Sequence, residues 1–188
     1  MKNIVIRIEK PVNSKADFTW DDHGYSLMCK ITYLAANPSK VLNLSEKLDL
    51  QFNIREHNYI LTGGFFEMML DPQKRIIDWS IYTNPKQWIR TERTFEEAVP
   101  ASARIDAEFD ENGRTSMGEP KEFHEPIRGA FYLSWAQSST WYEIAPGMAL
   151  GVTEQNHLAE LRLDGFFLPE VEQKVERLSL WKKLRQLI

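Results

Sequence analysis

Residues 57–83, HNYILTGGFFEMMLDPQKRIIDWSIYT, constrain the fold of this chain more than any other stretch. Apolar and polar residues alternate, the run breaks at Gly63-Gly64, resumes, breaks at Asp71-Pro72, and resumes again. Alternation is the period of a half-buried strand. Glycine supplies the positive φ of a tight hairpin, and proline presets the second position of a turn. Two hairpins sharing a middle strand make a meander. A two-residue turn at Gly63-Gly64 sets Leu61 opposite Phe66, and the Asp71-Pro72 turn sets Phe66 opposite Trp79 and Met68 opposite Ile77. Both registers gather Tyr59, Leu61, Phe66, Met68, Leu70, Ile77, Trp79 and Ile81 on one inner face. The other face then opposes Glu67 and Asp78, two like charges. That costs a sheet a few tenths to about 1 kcal/mol unless a base, water or a cationic partner relieves it.

The rest of the chain reads largely in the same way. NIVIRIE alternates, and Asp21-Asp22-His23-Gly24 is a polar turn between FTW and YSLMCKITYL. Ser39 is placed to cap a short helix, and LDLQFNIR alternates after it. Asn84-Pro85 opens like a helix, Thr94 and Glu97 have capping-box spacing, and Pro100 ends any helix there. ARIDAEFDENGRTSM predicts a hairpin about Asn112-Gly113, with Ile105, Ala107 and Phe109 inward. AFYLSW, TWYEI, MALGV and HLAELRL predict further strands. Pro169 opens a segment in which Val171, Val175, Leu178, Trp181 and Ile188 share a helical face, with acids early and bases late. The expected fold is α+β. It is one domain over residues 1–188, a mainly antiparallel sheet of meander hairpins with a packed C-terminal helix.

A chain of 188 residues, 43% hydrophobic, can bury a core without staples. Cys29 is the one cysteine, so no intrachain disulfide forms and a reducing, cytoplasmic location is expected. The first ten residues read as a strand rather than a signal peptide, and no apolar run is long enough to span a membrane. The net charge of −4 is uneven: residues 92–125 hold ten acids against four bases. On the hairpin arm Asp106, Glu108 and Asp110 point outward, with Glu111 in the turn, and Arg104 is the one base among them. An acidic face repels nucleic acid and attracts a cationic protein.

Signatures of chemistry are missing. The sequence has no phosphate loop, no dinucleotide fingerprint, no nucleophile elbow and no zinc-protease motif, and His23, His57, His124 and His157 lie far apart. No catalytic residue, metal ligand or cofactor is assigned. The alternatives to a binding role are a metal-assisted hydrolase built on Asp21-Asp22-His23 and a sandwich binding a sugar or lipid on exposed rings. Glu122 and His124 in KEFHEP face one way if extended, and Ser138, Ser139 and Thr140 have the residue types of a nucleophile. Trp88 and Trp141 are the candidate aromatic anchors of a protein interface.

The Asp-Pro hairpin in MMLDPQKRIIDWSIY, the acidic sheet-rich character, the aromatic content and the lone cysteine together give a bulk likeness. In these the chain resembles the small cytoplasmic immunity proteins that bacteria pair with secreted toxins. The resemblance implies a protein without chemistry of its own that blocks a basic toxin domain. It carries over no binding residues. The expectation is therefore a non-enzymatic protein-binding module for a cationic partner, with Asp106, Glu108, Asp110, Glu111, Trp88 and Trp141 at the interface. Its oligomeric state is left open.

Overall fold

The computed structural model describes residues 4–34, 58–93 and 96–168. Among the described residues fifteen strands form three sheets. The first has six strands: β2 (Ser14–Asp21), β3 (Ser26–Tyr33), β4 (Tyr59–Gly63), β5 (Phe66–Leu70), β6 (Ile76–Tyr82) and β10 (Arg114–Ser116), in the order β10-β4-β5-β6-β3-β2. The second has seven: β7 (Ile89–Arg90), β8 (Val99–Pro100), β11 (Lys121–Glu125), β12 (Ala130–Ser134), β13 (Thr140–Ala145), β14 (Met148–Val152) and β15 (Leu158–Asp164), in the order β7-β11-β12-β15-β14-β13-β8. The third is a ribbon of β1 (Val5–Glu9) with β9 (Ser102–Asp106).

The two large sheets pack face to face. Leu27, Cys29, Leu61, Phe66, Met68, Trp79 and Ile81 from one meet Phe131, Leu133, Met148, Leu150, Leu161 and Leu163 from the other in a single buried cluster. Ile6 and Ile105 of the ribbon join the same cluster. Phe66, at the start of β5, touches Trp135 just past the end of β12, with ring centroids 5.2 Å apart. Trp20, near the end of β2, touches Trp88 at 5.7 Å, and Trp88 touches Phe131, near the start of β12, at 4.7 Å. The ends of one sheet's strands thus lie along the length of β12, so the two sheets cross rather than run alongside.

The meander is present, shifted by two residues from its expected register. Phe66 pairs with Gly63 and Ile81, Met68 with Leu61 and Trp79, and Glu67 with Thr62 and Ser80. The first turn is Gly64-Phe65, with Gly64 at φ +60°. The second runs through Asp71–Arg75, where Lys74 takes φ +62° and the Asp71 carboxylate accepts from the Arg75 backbone at 2.9 Å and its Nε at 2.7 Å. A slip of two preserves side-chain parity, so nearly all the expected inner face is buried as expected. The exceptions are Tyr59, half-buried at the start of β4, and a bulge next to the turn, where Ile76 rather than Ile77 takes the fully buried place. Glu67 and Asp78 are not opposed, because Asp78 faces Met69 on one side and Lys30 on the other.

The α+β expectation is corrected. The described residues form sheets, with one three-residue 3-10 turn at Pro85–Gln87 capped by Asn84, whose side chain accepts from Lys86 N at 3.0 Å. After that turn the chain becomes extended as β7, since Trp88 and Ile89 serve a sheet and not a helix. The helices expected at Ser39 and after Pro169, and the strand LDLQFNIR, lie outside the described residues. The Asn112-Gly113 turn closes locally, with Gly113 N donating to Asp110 O at 3.0 Å, but its arms part: β9 pairs with β1, and β10 pairs in parallel with β4. Among the described residues no helix is long and apolar enough to cross a membrane.

Candidate functional site

The residues that the sequence marks for a partner do not converge on one surface. On the ribbon, Arg7 is paired with Asp106, and Arg104 with Glu9 at 2.9 Å, so charges there alternate in sign. The Asp110 carboxylate accepts from Asn112 N at 2.9 Å and Arg114 N at 2.8 Å, closing its own turn. Glu108 and Glu111 are exposed. Trp88 and Trp141 are both buried. Trp88 fills the core between the sheets and donates from Nε1 to Thr83 Oγ1 at 2.5 Å. Trp141 lies under the outer face of the seven-stranded sheet, 6.1 Å from Tyr132. Neither indole is presented as an anchor.

The Asp21-Asp22-His23-Gly24 loop is a turn closed by its own carboxylates. Backbone N–H groups of Gly24 and His23 hold the Asp21 carboxyl below the usual carboxylate range, the His23 bond at 2.9 Å. Asp22 accepts from Trp20 Nε1. A Cβ on Gly24 would fall 2.5 Å from Asp21 Oδ2, so glycine lets the loop wrap over that carboxylate. Among the described residues no three His, Cys, Asp or Glu side chains are grouped to hold a metal ion. KEFHEP forms β11. Glu122 accepts from Thr83 Oγ1 and burial pushes its carboxyl up. His124 is buried beside Trp88 at 5.3 Å and hydrogen-bonded to the Phe166 backbone, its Nε2 is buried without a hydrogen-bond partner, and burial pushes its imidazole down.

Two places have the shape of a site. One is a polar cleft of about 200 Å³ on the outer face of the seven-stranded sheet. Its floor is Glu160 and Arg162 of the central strand β15. Both alternate away from the core, yet both are buried, because Arg93, Glu96 and the loop around Ser138 lie over them. Glu160 accepts from Arg93 at one oxygen and from Ser138 Oγ at the other, the latter at 2.7 Å. Arg162 pairs with Asp164 at 2.9 Å, donates to Glu96 O at 2.9 Å, and lies 4.9 Å from the centroid of the Trp141 ring. The Arg93 guanidinium covers the rings of Phe123 and Tyr132 at 4.8 and 5.4 Å. On the β14 side the cross-strand neighbours of the floor, Ala149 and Gly151, are small, and on the β12 side they are Tyr132 and Ser134. A Cβ on Gly151 would sit 2.7 Å from Ser138 Cβ, so the glycine seats the Ser138 loop on the sheet.

The other place is an exposed aromatic patch at one end of the six-stranded sheet. Phe65 (70% exposed), Tyr82 (63%) and Tyr25 (51%) come from three separate elements. Two backbone hydrogen bonds hold them together: Tyr82 N to Phe65 O at 3.2 Å, and Thr83 N to Tyr25 O at 2.7 Å. Met28, exposed on the same outer face, lies next to them opposite Ser80. Acids surround the patch. Glu67 pairs with Ser80, Asp21 and Asp22 share the turn with Tyr25, and the Glu119 side chain lies against Gly64. Lys30, two residues along β3 from Met28, is matched by Asp78 opposite. The sequence hides this patch, because the turns it predicts, Gly63-Gly64 and Asp21–Gly24, leave Phe65 and Tyr25 as strand residues, whereas the structure places both in turns.

No family model matches the chain, and no curated protein matches it. The resemblance to immunity proteins is therefore dropped: it rested on bulk composition and one hairpin, the comparisons give it nothing, and the α+β outline set beside it is replaced by sheets.

Proposed function

We propose that this protein is a non-enzymatic protein-binding module whose partner is cationic and amphipathic, seated on the patch of Tyr25, Phe65 and Tyr82. The observation that carries the reading is that three largely exposed aromatics sit on segments joined by backbone hydrogen bonds, with Asp21, Asp22, Glu67 and Glu119 on those segments or against them. Contiguous exposed apolar surface on a folded domain marks an interaction site, and tyrosine is among the side chains that dominate interface energetics. The acids set the sign of the partner. They repel nucleic acid and anionic lipid headgroups and steer a basic protein segment. Asp21, held ionised by its turn, keeps its share of this field across neutral pH. The cytoplasm is the proposed compartment, since a chain with one cysteine makes no disulfide of its own.

The test is a backbone amide NMR titration of the full chain with a Lys/Leu amphipathic helical peptide and, separately, its Glu/Leu counterpart. The Lys/Leu peptide is expected to shift residues 25–28, 65–67 and 80–83, more weakly at high salt, and the Glu/Leu peptide to leave them unmoved. Replacing Phe65 and Tyr82 by Ser should weaken the Lys/Leu interaction at least about tenfold, the loss of roughly 1.4 kcal/mol. Equal shifts with both peptides, or shifts centred on the β1–β9 ribbon, would refute the assignment.

A further inference from the structure

We infer that the polar cleft over β15 is a binding site for a small neutral polyhydroxyl ligand of monosaccharide size. This goes beyond the protein-binding reading and uses the other large sheet. The cleft's volume of about 200 Å³ is the share of liquid held by roughly six or seven water molecules, room for one sugar ring and not for a chain. Its lining is chemically dense. Tyr132, Gln137 and Ser138 add neutral donors and acceptors to the two arginines and Glu160.

Charge selects the ligand. Glu160 is matched by Arg93, and Arg162 by Asp164; the remaining charge of the lining, Glu96, is exposed. An anion or cation pairing with Arg162 or Glu160 on the floor would strip that buried group of its counter-ion, which costs several kcal/mol. A neutral ligand with adjacent hydroxyls leaves both pairs whole. It gains charge-assisted hydrogen bonds at lone pairs of Glu160 beyond those that Arg93 and Ser138 occupy, since a carboxylate offers about four acceptor sites. Buried ion pairs in the middle of a sheet face are no aid to stability compared with apolar side chains of like size. Small residues beside them, Ala149 and Gly151, keep the floor low where bulkier side chains would fill it. The floor is also held in place in advance, because Gly151 seats Ser138 and Ser138 fixes the Glu160 carboxylate. Such preorganisation lowers the ordering cost of binding.

The experiment is saturation-transfer and amide-shift NMR on the full chain. The neutral probes are glucose, galactose, mannose and myo-inositol, and the charged probes are glucuronate, glucosamine and glutamate. At least one neutral probe is expected to saturate with shifts at Tyr132, Gln137–Trp141 and Glu160–Arg162. The exposed change Gln137→Ala should weaken it about threefold to tenfold and Glu160→Gln by more than about tenfold. Gln137→Ala keeps the test decisive if Glu160→Gln fails to fold. The inference falls if no neutral probe saturates by about 50 mM, weaker than any useful affinity. It also falls if the charged probes bind and the neutral ones do not, or if binding ignores both substitutions. These outcomes are independent of the peptide titration, which reads the other sheet.

Discussion

Gly151→Ala is the sharpest probe of how the outer face is built. The residue lies outside the left-handed region, so alanine meets no backbone penalty there. It meets a steric one: the new Cβ would fall 2.7 Å from Ser138 Cβ, 3.1 Å from its Oγ and 3.2 Å from Glu160 Cβ. The first distance is shorter than any real contact, and Ser138 is held against the sheet by its hydrogen bond to Glu160 and by Ser139 N donating to Val152 O at 2.8 Å. Overpacking of this kind costs about 1–3 kcal/mol. If the loop lifts to escape, the hydrogen bond to a buried carboxylate goes with it, worth about 1.5–3 kcal/mol. The two are alternatives in part, so the expected loss is about 2–4 kcal/mol. Urea unfolding followed by tryptophan fluorescence measures it. The control is Ser138→Gly, which removes the colliding atoms. It forfeits the hydrogen bond in both backgrounds, so Gly151→Ala should cost at least about 1 kcal/mol less when Ser138 is already glycine. A loss under about 0.5 kcal/mol in Gly151→Ala, within the range of an ordinary surface change, would refute the close approach. So would strict additivity in the double variant.

Two further outcomes follow from buried groups. His124 is held neutral, with its pKa below the unfolded value of about 6.5, so the stability it permits is present above that value and is lost as pH falls through it. The unfolding free energy of the wild type, read from urea curves, should drop relative to His124→Gln from pH 7.5 to 6, by at most about 1.4 kcal/mol per pH unit, and parallel pH profiles would exclude the imidazole as the cause. Cys29 is fully buried, 3.5 Å from Met148 Sδ, and burial pushes its thiol up. Aromatic-disulfide labelling of the native protein should run at least about a thousandfold slower than in urea, and prompt native labelling would show that β3 is accessible.

Much of the fold was legible because a strand repeats every two residues. The assumed hairpin registers were off by two, yet Leu61, Phe66, Met68, Trp79 and Ile81 kept their side, since parity survives an even slip. The same slip misplaced Glu67 opposite Asp78, for a pairwise contact depends on register and not on parity. Long-range choices were hidden. Nothing local says that the two arms about Asn112-Gly113 leave for different sheets, or that Arg7 neutralises Asp106. Of the acids that share one face in sequence, only Asp106 lies within β9, and it meets Arg7 once β1 is laid alongside. The outer cleft was hidden for a related reason. Glu160 and Arg162 alternate with leucines as solvent-facing residues do, and the local pattern cannot show that Arg93 and Ser138 cover them. Trp88 and Trp141 went the other way, since aromatic residues serve cores as readily as interfaces.

The pairing of β1 with β9 also sets an order of events during synthesis. Arg7 and Asp106 stand 99 residues apart, so about a hundred residues must follow β1 out of the ribosome before it meets β9. Until then Ile4 and Ile6 are apolar side chains with no sheet to lie on. Topologies dominated by such distant partners fold in milliseconds to seconds, and for that interval β1 is an unpaired apolar strand that a chaperone could hold.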